Sequence, residues 1–398
     1  MKSKIYATLL IALCATQVFA QCGQRYKDMI FNNVTKTSNV TYSTENGTTL
    51  KMDIFEPTGD TELQRPVLIM AHGGSFTAGD KSESVCVSIC NNFAKRGYVT
   101  ASIQYRLGQT FQMLDSAYAI ETVMKAISDG KSAIRFFRKD AATTNTYRIN
   151  PDFILAGGNS AGAVLFMHVI YIDSVNECPQ NLRNIINANG GIEGNSGNDG
   201  YSSKLQGLIN LAGGLNVPEF IGPGSGPSFN AQGTADVTVP YSCANAQGGI
   251  TPVRLCGLGV AQPLYDQFLV RNRSIIYPGQ GHCPWQNNAA MLNEIDTASA
   301  NFFYDVQCDL STSVLSLKET SEVSLFPNPT SNEINVRSSM SISNISLFDN
   351  IGQLISLQNI ENGTAKINTS NLSKGIYYVK MEFIDNNIST IVRKVVIE

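Results

Sequence analysis

Phe153-Ile154-Leu155-Ala156-Gly157-Gly158-Asn159-Ser160-Ala161-Gly162 is the stretch that decides how this chain folds. An apolar run enters it, and an amphipathic run from Ala163 to Ile172 leaves it. Strand, Gly-x-Ser-x-Gly, helix is the sequence form of a nucleophile elbow. A serine hydroxyl is a weak nucleophile, so it must stand alone at a tip that a base can reach. The turn that puts it there is tight. Gly158 and Gly162 lack a Cβ, which lets the chain fold back and the helix pack close to the strand. The N–H of Ala161 then points into the cavity from a helix N-terminus, where negative charge is favoured.

Working outward, Val67-Leu68-Ile69-Met70-Ala71 is a continuous apolar run, the mark of a strand buried on both faces. Residues 98–103, 207–211, 228–231 and 274–277 read as further buried strands. Helical spacing lies between them. Cys86, Ile89, Cys90 and Phe93 make one stripe, with Gly97 as its stop. Ile120, Val123, Met124, Ile127, Ile134 and Phe137 make another across residues 114–141, with Asp129-Gly130 as a candidate break. Residues 261–271 are expected to be helical. Upstream, residues 21–64 read as an antiparallel lead-in, with alternation in 40–43 and 50–55 around Glu45-Asn46-Gly47. Buried strands alternating with helices predict an α/β fold, a doubly wound, mostly parallel sheet. Residues 173–203 are polar and rich in Gly and Asn. A loop of that length is either a rim over the serine or an insertion.

The first twenty residues are expected to leave before folding. Lys2 and Lys4 precede a short apolar run, and Val18-Phe19-Ala20 is a small-residue cleavage signature, so 1–20 reads as a signal peptide. No integral membrane segment is expected in the mature chain, because that run is too short to span. Export agrees with the cysteines. Cys14 leaves with the signal, and an even set remains: Cys22, Cys86, Cys90, Cys178, Cys243, Cys256, Cys283 and Cys308. No zinc spacing occurs among them, so disulfides are expected. The local pairings are Cys243–Cys256 and Cys283–Cys308, each contributing about 2–4 kcal/mol; Cys86 and Cys90 are left open. The 398 residues carry a net charge of −3, with 29 basic and 32 acidic side chains. That balance gives no field for nucleic acid or an anionic membrane, and neither is expected as a partner.

Ser160 needs a base. Three histidines exist. His168 falls inside the elbow helix and reads as core. His72 opens His72-Gly73-Gly74-Ser75-Phe76. His282 lies in Gly279-Gln280-Gly281-His282, just past the last parallel strand. Catalytic groups of such sheets collect at the carboxyl ends of the strands, which makes His282 the base. Asp236, in Gly233-Thr234-Ala235-Asp236, follows the preceding strand and is the carboxylate that fixes the imidazole. Oxyanion donors are expected from the backbone N–H groups of Gly74, Ser75 and Ala161. His72 then holds that loop. Trp285, three residues after His282, either walls the substrate site or belongs to the core. No metal or cofactor is expected.

With these residues together, 40–300 resembles a carboxylesterase or lipase of the α/β-hydrolase superfamily. The resemblance rests on His72-Gly73-Gly74, Gln104-Tyr105-Arg106-Leu107-Gly108, Gly157 to Ala163, Gly233 to Pro240 and Gly279 to His282, with the triad in the order Ser160, Asp236, His282. Two departures stand out. Ser75 occupies the third Gly position of the oxyanion loop, and Gln232 stands where a histidine often precedes Gly-Thr. The resemblance implies a serine carboxylic-ester hydrolase working through an acyl-enzyme. Its substrate is a small-molecule or polymeric ester, and a polyesterase or an acetyl or feruloyl polysaccharide esterase would use the same mechanism. The different class is a non-catalytic surface binding protein on a hydrolase scaffold.

Beyond residue 309 the chain has no Cys, His or Trp. Residues 21–308 are therefore read as the catalytic domain, 309–322 as a linker and 323–398 as a small all-β sandwich. Ser324-Leu325-Phe326-Pro327-Asn328-Pro329-Thr330, Leu372-Ser373-Lys374-Gly375-Ile376-Tyr377 and the closing Arg393-Lys394-Val395-Val396 resemble the C-terminal sorting domain of the type IX secretion system of Bacteroidota. That implies the outer-membrane secretion machinery as a partner, and a secreted or cell-surface attached product.

Overall fold

The computed structural model describes residues 23–313, 323–338, 341–350, 352–360, 364–383 and 391–398. The expected signal peptide and residues 314–322 of the expected linker lie outside the described residues.

The first unit is built on an eight-stranded sheet. Its strands are β1 (Val34–Ser43), β2 (Leu50–Pro57), β3 (Arg65–Ala71), β4 (Val99–Ile103), β5 (Ile149–Asn159), β6 (Gly207–Leu211), β7 (Ser228–Gly233) and β10 (Asn272–Tyr277), with the hairpin β8 (Cys243–Asn245) and β9 (Arg254–Cys256) set apart. The spatial order is β1-β2-β4-β3-β5-β6-β7-β10. The pairs β1·β2 and β2·β4 are antiparallel and the remainder are parallel. From β3 the chain turns to β4 on one side and then to β5 on the other. The reversal opens a crevice at the carboxyl ends of β3 and β5, where ligands of such sheets bind.

Helices cover both faces. On one, α1 (Ser84–Lys95) and α6 (Ala289–Ser313) pack Ile89, Phe93, Ile295 and Phe303 onto the sheet. On the other, α2 (Ser116–Ala142), α3 (Ala161–Tyr171), α4 (Gln180–Ala188) and α5 (Leu258–Gln267) contribute Ile134, Phe137, Leu165 and Tyr265. The elbow helix α3 is buried nearly all round, although the sequence reads as amphipathic. A helix apolar on every side belongs inside a protein, and α2 and α4 supply the extra cover. Asp129-Gly130 does not break α2. A Cβ at Gly130 would come within 2.6 Å of Leu165, so the glycine lets α3 dock. Asp129 is held by Arg106 at 2.7 Å.

Three further expectations are corrected. Residues 173–203 are not the irregular loop expected, although their Leu182 does border the cleft onto which Ser160 opens. They contain α4, and the remainder is stitched to α2: Lys131 donates to the Ile192 carbonyl at 2.6 Å, and Ser132 to that of Ser196 at 2.7 Å. Cys283 and Cys308 are not paired. Cys283 is a free, buried thiol, while Cys308 is in a disulfide of its own. The helix α6 carries Cys308 about 28 Å along its axis from Ala289, whereas bridged cysteines need Cα atoms within about 7 Å. The α6 helix also runs on through 309–313, so the start of the expected linker is helical. Cys243 and Cys256 are bonded, closing the β8–β9 hairpin. Cys86 and Cys90 are free and buried on α1.

The second unit is all antiparallel. A three-stranded sheet, β11 (Val323–Phe326), β12 (Glu333–Ser338) and β15 (Thr364–Asn368), faces a four-stranded one. The latter holds β13 (Ile342–Phe348), β14 (Leu354–Asn359), β16 (Gly375–Phe383) and β17 (Ile391–Ile397). In β16 every second residue from Tyr377 to Phe383 is buried, the period-two signature of a sandwich face. Ile334, Val336, Leu347, Val379 and Val395 form its core.

Candidate active site

Ser160 stands between β5 and α3 at φ +53° and ψ −115°. A non-glycine residue with positive φ costs free energy and persists only where its surroundings hold it. Here they do. The Ser160 N–H donates to the Leu211 carbonyl at 2.8 Å. A Cβ on Gly158 would lie 2.2 Å from the Gly162 backbone, and one on Gly162 would lie 2.0 Å from the Ala71 carbonyl oxygen. Both glycines are required by contact, as the Gly-x-Ser-x-Gly spacing predicts.

His282 and Asp236 reach the same point from β10 and β7. The Ser160 hydroxyl donates to His282 Nε2 at 2.7 Å, and His282 Nδ1 donates to Asp236 Oδ2 at 2.7 Å. The other carboxylate oxygen of Asp236 accepts from the N–H groups of Thr238 at 2.9 Å and Val239 at 3.0 Å. Asp236 is thus buried but fully bonded, the condition for keeping a carboxylate away from water. Gln232 completes the floor. Its amide bridges the Val239 carbonyl at 2.8 Å and the Leu258 N–H at 2.7 Å, locking the Asp236 loop to α5. The departure at position 232 therefore replaces one buried polar group by another.

The loop after β3 crosses above Ser160. A Cβ on Gly73 would come 3.3 Å from that of Ser160. Gly74 has φ +118° and Ser75 φ +53°. Among the described residues the backbone N–H groups of Gly74, Ser75 and Ala161 make no hydrogen bond. His72 lies behind the loop, buried, stacked on Tyr105 at 4.3 Å and bonded to the Gly73 carbonyl. Burial lowers its pKa, which favours the neutral ring.

Sequence reasoning missed one clamp. Trp285 is buried core and does not wall the cleft. Its indole N–H donates to Asn159 Oδ1 at 3.0 Å, and the Asn159 amide donates to Glu83 at 2.6 Å. The residue before the serine is thereby tied to the segment after the histidine. The signal available in sequence was a lone Trp three residues after His282. Cys283, next to His282 in sequence, has its thiol pKa pushed well up by burial, which keeps it in the weakly nucleophilic thiol form.

Ser160 opens onto an apolar cleft of about 760 Å³, its open mouth included. Met113, Met124, Val164, Leu182 and Leu255 are among its walls. His168, read as core, is buried at this wall. Its ring spans the Val164 carbonyl at 2.7 Å and the Asn216 side chain at 2.9 Å, and burial lowers its pKa. Among the described residues no cluster of three or more His, Cys, Asp or Glu side chains could hold a metal ion. No described helix is long and apolar enough to cross a membrane.

Strand order and the strand–Ser160–helix elbow are those of the α/β-hydrolase fold. Residues 52–192 match the BD-FAE family model, and residues 324–398 match the secretion system C-terminal sorting domain. The chain thus carries an esterase-type domain followed by a sorting tail, and it is a secreted or cell-surface attached enzyme. Among solved structures it is similar to the apo form of Thermogutta terrifontis esterase 2, with a TM-score of 0.51 at 19% identity over 70% of this chain and 96% of that one. The same esterase phosphonylated by cyclosarin gives 0.50 at 19%, over 67% and 93%. Its form phosphoramylated by tabun gives 0.51 at 18%, over 69% and 96%. At this identity the likeness speaks for the fold. No curated protein matches the chain.

Proposed function

We propose that this chain hydrolyses carboxylic esters through an acyl-enzyme on Ser160. The observation that carries the reading is the unbroken relay Asp236–His282–Ser160, 2.7 Å at each step, with Ser160 lining an apolar cleft. Ser160 Oγ attacks the acyl carbon while its proton passes to His282 Nε2. The carbonyl oxygen becomes an oxyanion facing the unpaired N–H groups of Gly74, Ser75 and Ala161, donors fixed in place before the charge develops. Collapse breaks the bond to the alcohol oxygen, which takes the proton from His282. Water then repeats the sequence: His282 takes its proton as its oxygen bonds the acyl carbon, the ester bond to Ser160 breaks, Ser160 Oγ takes the proton back from His282, and the acid leaves. Asp236 keeps Nδ1 protonated and stabilises the imidazolium. The apolar cleft takes the acyl chain. The sorting tail is the part that the outer-membrane secretion machinery would recognise.

Initial rates on p-nitrophenyl esters from acetate to palmitate, with Ser160→Ala as the blank, test this reading. Serine-dependent hydrolysis of at least one ester is expected. Equal rates with and without the Ser160 hydroxyl would overturn the reading and leave a binding protein on a hydrolase scaffold.

A further inference from the structure

Asn159 stands directly before the nucleophile, and the reaction described above makes no use of its side chain. It is fully buried. A buried amide needs partners at both ends, because an unpaired polar group away from water is costly. Oδ1 accepts from the Trp285 indole N–H at 3.0 Å, and Nδ2 donates to Glu83 Oε1 at 2.6 Å. These partners allow one orientation only. An indole N–H can only donate, and a carboxylate can only accept. An amide satisfies both. An aspartate in its place would satisfy the indole and repel the carboxylate.

The two partners serve different parts of the site. Trp285 lies three residues after His282. Glu83 is the N-cap residue of α1 and ends the segment 72–83, which leaves β3 at His72 and carries Gly73, Gly74 and Ser75 past Ser160. This segment meets Asn159 at both ends. At its start, a Cβ on Gly73 would lie 3.6 Å from Asn159 Nδ2. At its finish is the hydrogen bond to Glu83. Inside the segment the Thr77 and Ala78 N–H groups donate to the Gly74 carbonyl at 3.0 Å, and the Glu83 N–H donates to that of Asp80 at 3.1 Å. Among the described residues no cation pairs with Glu83. Lys81, two residues earlier, is taken by Asp53 at 2.9 Å, and the other carboxylate oxygen of Glu83 meets the Cys86 thiol at 3.0 Å.

We propose that Asn159 is a positioning residue: by bridging Trp285 to Glu83, its amide holds the His282 loop and the segment carrying the oxyanion donors in register with Ser160. It acts through those two partners. The bridge needs a donor facing Glu83, so the requirement is for hydrogen-bond polarity rather than bulk. The inference rests on the esterase reading above and adds to it the side chain that sets the donors against the nucleophile.

The test uses the full mature chain, a soluble p-nitrophenyl ester and titration with a fluorophosphonate, so that kcat is counted per reactive serine. Asn159→Asp keeps the size and the acceptor for the indole but places a carboxylate against that of Glu83. Its kcat is expected to fall about 10- to 100-fold, the scale of a misplacement near 1 Å, with KM within about twofold. Glu83→Gln alone should cost no more than about threefold, since the introduced amide still offers an acceptor. Combining the two reverses the bond, amide to carboxylate, and should bring kcat back to within about threefold of wild type. Glu83→Ala, at a half-buried position, removes the anchor from the other side and should lower kcat about tenfold.

The pH profile gives a second readout. Two carboxylates in contact share a proton as pH falls, and the protonated one donates, so the ratio of Asn159→Asp to wild-type kcat should rise about tenfold from pH 8 to 5.5. The double variant should show no such rise. The other titratable groups packed here are Cys86 on α1, His72 at the head of the segment and Cys283 after His282. Burial pushes both thiols up and the imidazole down, toward their neutral forms. His282 and Asp236 are common to both enzymes and cancel in the ratio. Trp285 is the only tryptophan, so emission unchanged in Asn159→Asp shows that the indole keeps its acceptor and that the loss comes from the Glu83 side. Emission of a wetted indole would place the loss in the core and overturn the proposal. A double variant no faster than Asn159→Asp, a flat pH ratio, or full kcat in Glu83→Ala also overturns it, because a merely structural asparagine gives neither rescue nor proton dependence. Hydrolysis surviving in Ser160→Ala would sink the esterase reading instead, so the two failures are told apart.

Discussion

The reacting edge and the cleft beside it are built in opposite ways. Ser160, Asp236 and His282 each follow the carboxyl end of a parallel strand, and backbone geometry puts them there. Positive φ at Ser160, glycines whose Cβ would clash, and N–H groups bonded to Asp236 leave these groups little freedom. The cleft has no such frame. Its walls come from a short turn before α2, from α2, α3 and α4, and from the β8–β9 hairpin. They are side chains that happen to face one another across separate elements. The contrast teaches that chemistry here is a property of the backbone and selectivity a property of packing. Mutations in the two regions should therefore differ in kind.

The largest effect should come from breaking the relay. Asp236→Asn leaves the shape but favours the wrong imidazole tautomer, and kcat is expected to fall about 10⁴-fold with KM little changed. Steady-state kinetics on a soluble ester checks this. Next is the loop proposed to bind the oxyanion. Gly74→Ala would push a Cβ to 2.1 Å from the Ala78 carbonyl oxygen and move the donors, so a loss of about 10²- to 10³-fold in kcat is expected. Ser75→Gly keeps its backbone donor and relieves a positive φ, so its rate should stay within about threefold of wild type while its melting temperature holds or rises. A large loss in Ser75→Gly would move the donor from the backbone to the hydroxyl.

Changes in the cleft should sort substrates instead. Met113→Trp fills space at the wall, and it is expected to cut rates on octanoate and longer esters about tenfold while acetate hydrolysis is nearly unchanged. Equal losses across the ladder would mean that the cleft does not hold the acyl chain. The smallest effect concerns pH and stability. His72 and His168 are buried, and burial lowers both pKa values from the ordinary 6.5. As pH falls below about 6.5 the unfolded chain binds protons that the folded chain does not. Stability is therefore full above that value and declines beneath it. Urea midpoints at pH 8, 6.5 and 5.5 should fall in that order, and His168→Asn should flatten part of the slope.

The same division governs what the sequence could reveal. The elbow was legible because strand, glycines, serine and helix are contiguous, and His282 and Asp236 because each follows a buried strand. The loop proposed to face the oxyanion is contiguous too, as His72-Gly73-Gly74. The cleft is not. Met124, Val164 and Leu255 are apolar residues like those of any core, and only the packing of distant segments makes them a wall. Gln232 and Trp285 were missed in their roles because a hydrogen bond between segments 126 residues apart, as between Trp285 and Asn159, leaves no local pattern. The pairing of Cys283 with Cys308 failed for a related reason. Closeness in sequence is not closeness in space where a long helix intervenes. Asp129-Gly130 looked like a helix break because a glycine that breaks a helix and one that admits a neighbour read alike.

The central claim is that Ser160 is the nucleophile and that His282 and Asp236 activate it. Labelling with a fluorophosphonate, read by intact mass and then by peptide mapping, tests it most directly. The account predicts one adduct per chain, on Ser160, absent from Ser160→Ala and formed far more slowly by Asp236→Asn. An adduct on another residue, or labelling that persists in Ser160→Ala, would contradict it.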